Sequence, residues 1–426
     1  MNRSPRSNVR RLALGRLISI AGGGAAYTAL NFTVWERTGS PFMQAMSLLL
    51  TFGVIGLLGP FAGALGDRFD RRRVMIWSEA AAAVFFAAMV FARSPEVLIA
   101  LAFGSAVAEL PFFMASRAAI PSLVERAEDL SWANSLVSMG SHAGIAVGPV
   151  LGGLAIAWLA PGSDPSDGQL YAAGALVFGL NAVSFMISLL VTLTVKGRFQ
   201  EERTQQDREL HGGLMAGVAF LSRDRVLRRM ALAWLVFVLG MGMGMVADAP
   251  LADSFGAGGL GFGLLIACWG TGSVLGTGAG RWMTARTEPR YMVAGAAGVS
   301  LAAFGVGLLP LFPLVLASLL VMGICDGLTI VAENGLIQRR TPDAVRSRTM
   351  AALEAVLSLG LAGSYLAAGP VLRLVAPQTV YLIAGFFALG ATLVLLPLLR
   401  LKSDAGRPTG VGNGVTQPTV GQPAAV

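Results

Sequence analysis

Two carboxylic acids lie deep inside long apolar segments of this chain. Glu109 lies 12 residues into a segment that begins at residue 97, and Asp326 lies 13 residues into one that begins at residue 313. At about 1.5 Å per helical residue, both acids would be about 18 to 20 Å inside a bilayer core about 30 Å thick. A charge at that depth costs about 2.5 kcal/mol or more, so such residues usually face a cavity. The pattern predicts a site for protons or for a cationic substrate.

Each acid also has a purely structural interpretation, which the sequence leaves open. Glu109 could satisfy backbone groups that Pro111 frees, and Asp326 could cap a break in its helix at Gly327. Three further polar groups are weaker candidates because they lie nearer to the predicted cytoplasmic face: Glu333, Glu354 and His142.

The composition shows what kind of chain holds these acids. Hydrophobic residues make up 54% of the 426 residues and charged residues only 13%, whereas a soluble domain carries about 25% charged residues. The chain is therefore predicted to be an integral membrane protein. Its net charge of +8 reflects where basic residues lie between membrane spans, and it does not indicate nucleic acid as a partner.

The sequence lacks the motifs of enzymes and of metal sites. Cys268 and Cys325 both lie in apolar runs, and two such cysteines form neither a disulfide framework nor a zinc site. Residues 256–261 match the G-x-G-x-x-G pattern of dinucleotide sites, but no strand precedes them. Neither lysine, Lys196 or Lys402, follows a glycine, so the chain has no P-loop. No enzymatic activity, cofactor or metal is expected.

The apolar segments fit twelve transmembrane helices, because about 20 apolar residues cross the hydrocarbon core as one helix. The predicted spans are residues 12–35, 42–66, 74–92, 97–120, 135–160, 170–195, 230–253, 261–280, 291–310, 313–336, 348–375 and 379–399. With the amino terminus in the cytoplasm, 29 of the 32 Lys and Arg residues fall on the cytoplasmic side, and only Arg37, Arg93 and Arg373 fall outside. This pattern supports the number of spans and predicts that both termini are cytoplasmic.

The two halves of the chain resemble each other. Matching residues recur in the same order at offsets of 213 to 221 residues: Gly63 and Arg68 with Gly276 and Arg281, Glu36 with Asp253, Glu109 with Asp326, and Gly148-Pro149-Val150-Leu151 with Gly369-Pro370-Val371-Leu372. The order indicates a duplicated six-helix unit. The predicted domains are an amino-terminal bundle (1–195), a cytoplasmic linker (196–229), a carboxy-terminal bundle (230–400) and a disordered cytoplasmic tail (401–426).

Glycines stand at every fourth residue along two of the spans. They are Gly140, Gly144, Gly148 and Gly152 in the fifth span and Gly272, Gly276 and Gly280 in the eighth. Such ridges let another helix backbone approach closely. They indicate either simple helix packing or a surface along which the two halves move, and the sequence does not decide between these.

The loop between the second and third spans reads Gly63-Ala-Leu-Gly-Asp67-Arg68-Phe-Asp70-Arg71-Arg72-Arg73. Anchoring at lipid headgroups would explain the arginines but not Asp67. The segment resembles the signature loop of the major facilitator superfamily, and Gly144-Ile-Ala-Val-Gly148-Pro149-Val-Leu-Gly152-Gly153 is similar to the fifth-helix signature of antiporters in it. Gly15-Arg16-Leu-Ile-Ser19 and Thr38-Gly39-Ser40-Pro41 look like its efflux branch, which includes macrolide and enterobactin exporters.

The resemblance covers residues 9 to about 400 and implies two pseudo-symmetric six-helix bundles, all α-helical. It implies that Gly63, Asp67, Arg68, Arg71 and Arg72 form a cytoplasmic gate, in which Asp67 meets the amino-terminal end of the eleventh span near residues 347–349. It also implies that Gly144, Gly148, Pro149, Gly152 and Gly153 form an antiporter-like helix, and that Glu109 and Asp326 line one central cavity.

The chain departs from the family pattern at two positions of these loops. Asp70 replaces a glycine that is usual in the first loop, and Gly280 replaces the acid in the corresponding loop of the second half. Only the first loop is therefore expected to act as a charged latch.

We therefore expect a secondary active transporter in the cell membrane that exports a small amphiphilic compound of drug, antibiotic or siderophore type by alternating access. The expected partners are this substrate, protons and the lipid bilayer, and the chain is expected to be a monomer. The alternatives are a facilitator or symporter for uptake, or a lipid flippase of the same fold. A receptor or a membrane enzyme is disfavoured, because the chain has an internal repeat and lacks catalytic motifs.

Overall fold

The computed structural model describes residues 5–53, 58, 69–123, 129–161, 165–195, 214–284, 286–341 and 343–400. Twelve helices follow the order of the predicted spans. They are α1 (Pro5–Thr38), α2 (Pro41–Leu48, continued by a π turn over Leu49–Gly53), α3 (Arg71–Met89), α4 (Pro95–Leu123), α5 (Asp129–Leu159), α6 (Asp167–Thr194), α7 (Arg225–Ser254), α8 (Gly258–Ala279), α9 (Glu288–Leu308), α10 (Phe312–Arg340), α11 (Asp343–Leu372) and α12 (Pro377–Leu395). A short linker helix (Leu214–Arg223) precedes α7. Within the described residues the chain forms no strand.

Ten of these helices are long and apolar enough to cross a membrane. Of the other two, α2 is described only in its first part, and α3 is less apolar because it begins with three arginines and contains Glu79. The surface is apolar as well, since Trp77 is 74% exposed and Trp158 is 76% exposed. Such side chains fit a surface that faces lipid.

Most helices extend beyond the predicted spans because polar caps hold their ends. Asp70 is the N-cap of α3, and its carboxylate accepts a hydrogen bond from the Arg73 N–H at 2.9 Å. Asp224 caps α7 in the same way, with bonds of 2.8 and 2.9 Å from Val226 and Leu227. A carboxylate in this position satisfies free N–H groups and complements the helix dipole. The acid at position 70, where the family has glycine, thus has a structural role here.

The two halves of the protein repeat the same helix contacts. In the first half, α1 packs on α5 and α6, and α3 packs on α4 and α6. In the second half, α7 packs on α11 and α12, and α9 packs on α10 and α12. Each helix is therefore equivalent to the one six places later, as a duplicated six-helix unit requires. The structure thus agrees with two pseudo-symmetric bundles.

The halves meet through two equivalent helix pairs, α5 with α8 and α2 with α11. Gly153 of α5 lies against α8, where an added Cβ would be 2.9 Å from the carbonyl oxygen of Gly259 and 3.3 Å from the Cα of Gly263. Gly369 of α11 lies against the start of α2, 3.4 Å from the Cα of Phe42 by the same measure. We use "outer end" for the end of the bundle at which α1 ends and α2 begins, after the predicted orientation.

The regular glycine ridges pack inside each half. A Cβ at Gly144 would lie 2.9 Å from the Cβ of Ile20 in α1, and one at Gly152 would lie 2.5 Å from the carbonyl oxygen of Ala25. In the second half, Cβ atoms at Gly272 and Gly276 would collide with backbone carbonyls of α10. The structure favours the packing interpretation for both ridges. The contact between the halves uses other glycines.

Candidate functional site

The helix that carries Asp326 is unbroken from Phe312 to Arg340. Gly327 allows close contact with α8, because a Cβ there would collide with the carbonyl oxygen of Ser273. The proposed helix break at Gly327 is therefore absent, and Asp326 does not cap one. Tight packing of α10 on α8 instead determines where Asp326 lies.

Asp326 lines a pocket of about 300 Å³ inside the second half. The pocket lies between α7, α9, α10 and α12 and includes Trp234 and Thr329. Asp326 is only 5% exposed and has no hydrogen-bond partner among the described residues. Every residue that lines the pocket belongs to the second half. The expectation that Asp326 and Glu109 line one central cavity is therefore not met for Asp326, because its helix faces the interior of its own bundle at this position.

Glu109 is partly buried in α4 and has no hydrogen-bond partner among the described residues, including the backbone near Pro111. Phe113 and Ser116 follow on the same helix face. At that point Arg16 of α1 is 4% exposed, and it donates a 2.7 Å hydrogen bond to Ser116 Oγ. Its guanidinium also lies 4.9 Å from the centre of the Phe113 ring. Glu109 thus lies about 6 Å along the axis of α4 from a buried cation that reaches across from α1.

The weaker candidates occupy different environments. Glu333 is buried in α10, close enough to Asp326 and to Glu354 of α11 to interact with both charges. Glu354 itself is exposed. The side chain of His142 lies outside the described residues.

The loop residues Gly63, Asp67 and Arg68 lie outside the described residues, but the end of the loop is described. Arg72 donates a hydrogen bond of 2.8 Å to the carbonyl oxygen of Leu193, at the last turn of α6. Arg11 of α1 donates one of 3.1 Å to the neighbouring carbonyl of Thr194. Cations near these carbonyls complement the negative end of the helix dipole. Arg72 thus makes this contact within the first half.

The start of α11 differs from the sequence-based expectation. The helix begins at Asp343, and residues 347–349 lie in its second turn. Only the first four N–H groups of a helix lack partners within it. A contact of Asp67 with the positive end of the helix dipole therefore requires residues 343–346. The predicted partner near Ser347 to Thr349 is about one turn too far along the helix.

Asp67→Asn is expected to lower the transport rate several-fold while the protein remains folded, because the neutral side chain is held less strongly at the end of α11. Transport into vesicles, compared at equal amounts of inserted protein, measures this effect. Asp70→Asn is the matched control, because asparagine is an equally good N-cap and keeps the start of α3 intact. Equal transport by the Asp67→Asn protein and the parent would remove the latch role.

The antiporter-like helix lies where both halves meet. Pro149 is inside α5, and a Cβ at Gly24 of α1 would be 3.0 Å from its Cδ. On the other side, a Cβ at Gly263 of α8 would be 2.6 Å from the Pro149 carbonyl oxygen. Gly144, Gly148 and Gly152 face α1, whereas Gly153 faces α8. The segment thus joins the packing of the first half to the contact with the second half.

Two buried carboxyls are absent from the sequence-based set. Glu79 of α3 is 1% exposed and accepts a hydrogen bond from Ser188 of α6, and Asp248 of α7 is 9% exposed and accepts one from Tyr381 of α12. An acid inside an apolar span was the available signal for both. A search for acids repeated in both halves passes over them, because the residue 217 positions before Asp248 is Asn31.

Two equivalent six-helix bundles that meet along one end and bury acids within the membrane define a polytopic membrane transporter. The chain matches the family model of the Major Facilitator Superfamily over residues 12–290 and 243–421, and it belongs to that superfamily. The family predicted from the sequence is thereby confirmed. The protein is a multi-pass inner-membrane transporter of small molecules and not an enzyme.

Curated and solved relatives agree with this family. The chain is 25% identical over 350 residues to the enterobactin exporter EntS of Escherichia coli O1:K1 / APEC, which covers 80% of this chain and 79% of that exporter. A bacterial homolog of the human lysosomal transporter Spinster, solved in an inward-facing and occupied conformation, has a TM-score of 0.70 at 15% identity and covers 94% of this chain and 98% of its own. The nucleoside transporter NupG has a TM-score of 0.68 at 15% identity, covering 94% and 100%. The two structures share the fold with this chain.

Proposed function

We propose that the protein exports a small amphiphilic compound of drug, antibiotic or siderophore type in exchange for protons. The similarity to an enterobactin exporter over 80% of the chain is the observation that carries this proposal. It concerns nearly the whole membrane region, so it includes both halves and the contact between them. Export is favoured over uptake and over lipid flipping on this ground.

The described contacts between the halves support transport by alternating access. They run from Gly369 and Phe42 at the outer end to Gly270, 12 residues into α8, where a Cβ would lie 3.6 Å from the Cα of Ala146. This is about 18 Å along the helix axis. A carrier whose halves meet in this part is closed towards the outside. Rocking of the two bundles would then expose a central site to each side in turn.

Within this cycle, Glu109 and Asp326 are the proposed proton sites and the loop with Asp67 is the proposed cytoplasmic gate. Glu109 and the nearby Arg16 lie on the two helices of the first half that would contact cargo. Asp326 would act from inside the second bundle and not from a chamber that it shares with Glu109. Both termini are proposed to be cytoplasmic, and the protein is proposed to act as a monomer.

Transport into everted membrane vesicles tests the direction and the driving force together. Vesicles with and without the protein are acidified inside by respiration and incubated with a panel that contains a catecholate siderophore, a dipeptide and several amphiphilic antibiotics. At least one compound is expected to accumulate only with the protein, and to leave when a protonophore collapses the gradient. Accumulation in right-side-out vesicles instead would indicate uptake. Accumulation that survives the protonophore would contradict proton coupling.

A further inference from the structure

A buried carboxyl lies at the outer end where the two halves meet. Asp248 is six residues before the end of α7, at Ser254. Tyr381 of α12 donates a hydrogen bond to its Oδ1. The ring of Tyr381 fits beside α7 because residue 244, one turn before Asp248, is glycine, and a Cβ there would already lie 3.5 Å from the ring. The pair is thus built into the packing of α7 on α12.

The first half contributes to the same site. Tyr27 of α1 lies close enough to Asp248 to feel its charge, as does the fully buried Tyr365 of α11. The ring of Tyr27 contacts Phe52 of α2 and Phe262 of α8, at centroid distances of 5.4 and 6.2 Å. Asp248 thus faces three tyrosines, and it forms no ion pair with a described residue. The site contains helices of both halves, so it cannot stay intact when the outer end opens.

These surroundings favour a neutral carboxyl while the halves are closed. A charge buried in a membrane protein without a counter-ion is costly. The neutral carboxyl still accepts the hydrogen bond from Tyr381, so it loses little by being buried. When Tyr27 and its neighbours move away with the first half, water can reach Asp248 and solvate a carboxylate. The closed and open forms therefore differ in their affinity for one proton.

We propose that Asp248 binds the proton that keeps the outer end of the protein closed. While this end is open, a proton from external water binds the carboxylate, and the neutral form allows Tyr27 to close against it. Loss of that proton towards the central space leaves a buried carboxylate, which favours opening to the outside. The inference rests on the proposed proton-coupled export and adds a proton site that acts on the outer closure.

Asp253 provides a matched control at the same interface. It is exposed, five residues after Asp248, and accepts a hydrogen bond of 3.4 Å from Trp35 Nε1 of the first half. Its charge is solvated whether the outer end is open or closed, so its ionisation is not linked to opening. Tyrosine hydroxyls keep their protons below about pH 9, so the tyrosines around Asp248 do not contribute to the pH dependence.

The experiment measures the distance between spin labels on the two halves at the outer end. Labels are placed with Gly168→Cys, where a Cβ meets nothing within 4 Å, and with Leu311→Cys, where the side chain is 60% exposed. Cys268 and Cys325 are first replaced by serine. In the parent, the fraction with the longer distance is expected to rise between about pH 5.5 and 8.5. In Asp248→Asn it should be about tenfold lower at high pH and independent of pH, whereas Asp253→Asn should follow the parent.

Two results would overturn the proposal. One is an Asp248→Asn protein that keeps the pH dependence of the parent. The other concerns Tyr381→Phe, which keeps the ring but removes the hydrogen bond that helps to hold a carboxylate, so its midpoint should move to higher pH by about one unit. An unchanged midpoint would contradict the proposal even if Asp248→Asn fails to fold. The distances require no cargo, so a lack of export in vesicles would contradict the proposed function and leave this result standing.

Discussion

Glu109→Gln is expected to abolish accumulation of substrate under a pH gradient while downhill exchange of substrate continues. Glutamine keeps the size and polarity of the side chain but cannot take up a proton. Exchange needs the binding site and not the proton, so it should persist. In proteoliposomes the accumulation ratio should fall by about tenfold or more, which is typical of a coupling free energy between two ligands. Uptake with and without an imposed gradient measures both quantities in one preparation.

Glu96→Gln is the matched control for this experiment. Glu96 lies in the first turn of the same helix, α4, and is exposed, so its neutralisation should leave accumulation unchanged. Asp326→Asn is expected to act like Glu109→Gln or to weaken binding. If either acid-to-amide variant concentrates substrate as the parent does, that residue carries no coupling proton. A structural role would then be the better interpretation.

Gly276→Ala is expected to destabilise the second half strongly. An added Cβ would collide with the carbonyl oxygen of Ile324 and lie 3.1 Å from the Cα of Gly327, so the backbones of α8 and α10 must separate. Overpacking of this kind costs about 1–3 kcal/mol. The melting temperature of the purified protein in detergent should fall by several degrees, and the shift of α10 should also move Asp326.

Gly278→Ala on the same helix is the control, because a Cβ there meets nothing within 4 Å. Its melting temperature should equal or slightly exceed that of the parent, since alanine favours the helix. A Gly276→Ala protein that melts with the parent would show that the two helices can move apart at little cost. The close packing of α8 on α10 would then not determine where Asp326 lies.

The fold could be predicted from the sequence because lipid imposes simple rules. Apolar length determines the spans, basic residues indicate the sides, and repeated glycines identify helices in close contact. The ridge at Gly272 and Gly276 was therefore visible in advance. Its partner was not, because spacing on one helix does not show which neighbour it faces. The same limit applies to Asp326, whose depth follows from the sequence but whose pocket depends on the rotation of α10.

The ends of helices and the sites between helices were harder to predict. The polar residues after Pro342 hid the first turn of α11, so the predicted partner of Asp67 was placed too late in the helix. Asp248 was missed because its counterpart in the first half is an amide and because Tyr27 and Tyr381 are more than 100 residues away in the chain. Contacts of this kind depend on packing over the whole fold, and no local pattern records them.

The two contacts between the halves, α5 with α8 and α2 with α11, are one contact made twice. The surface of the first half that includes α5 and α2 meets its own equivalent, which includes α11 and α8. Such a surface is self-complementary, as in a twofold-symmetric dimer. A six-helix ancestor could therefore have formed this frame from two identical chains before the gene was duplicated. Fusion then allowed the copies to diverge, so that one position became Asn31 in the first copy and Asp248 in the second.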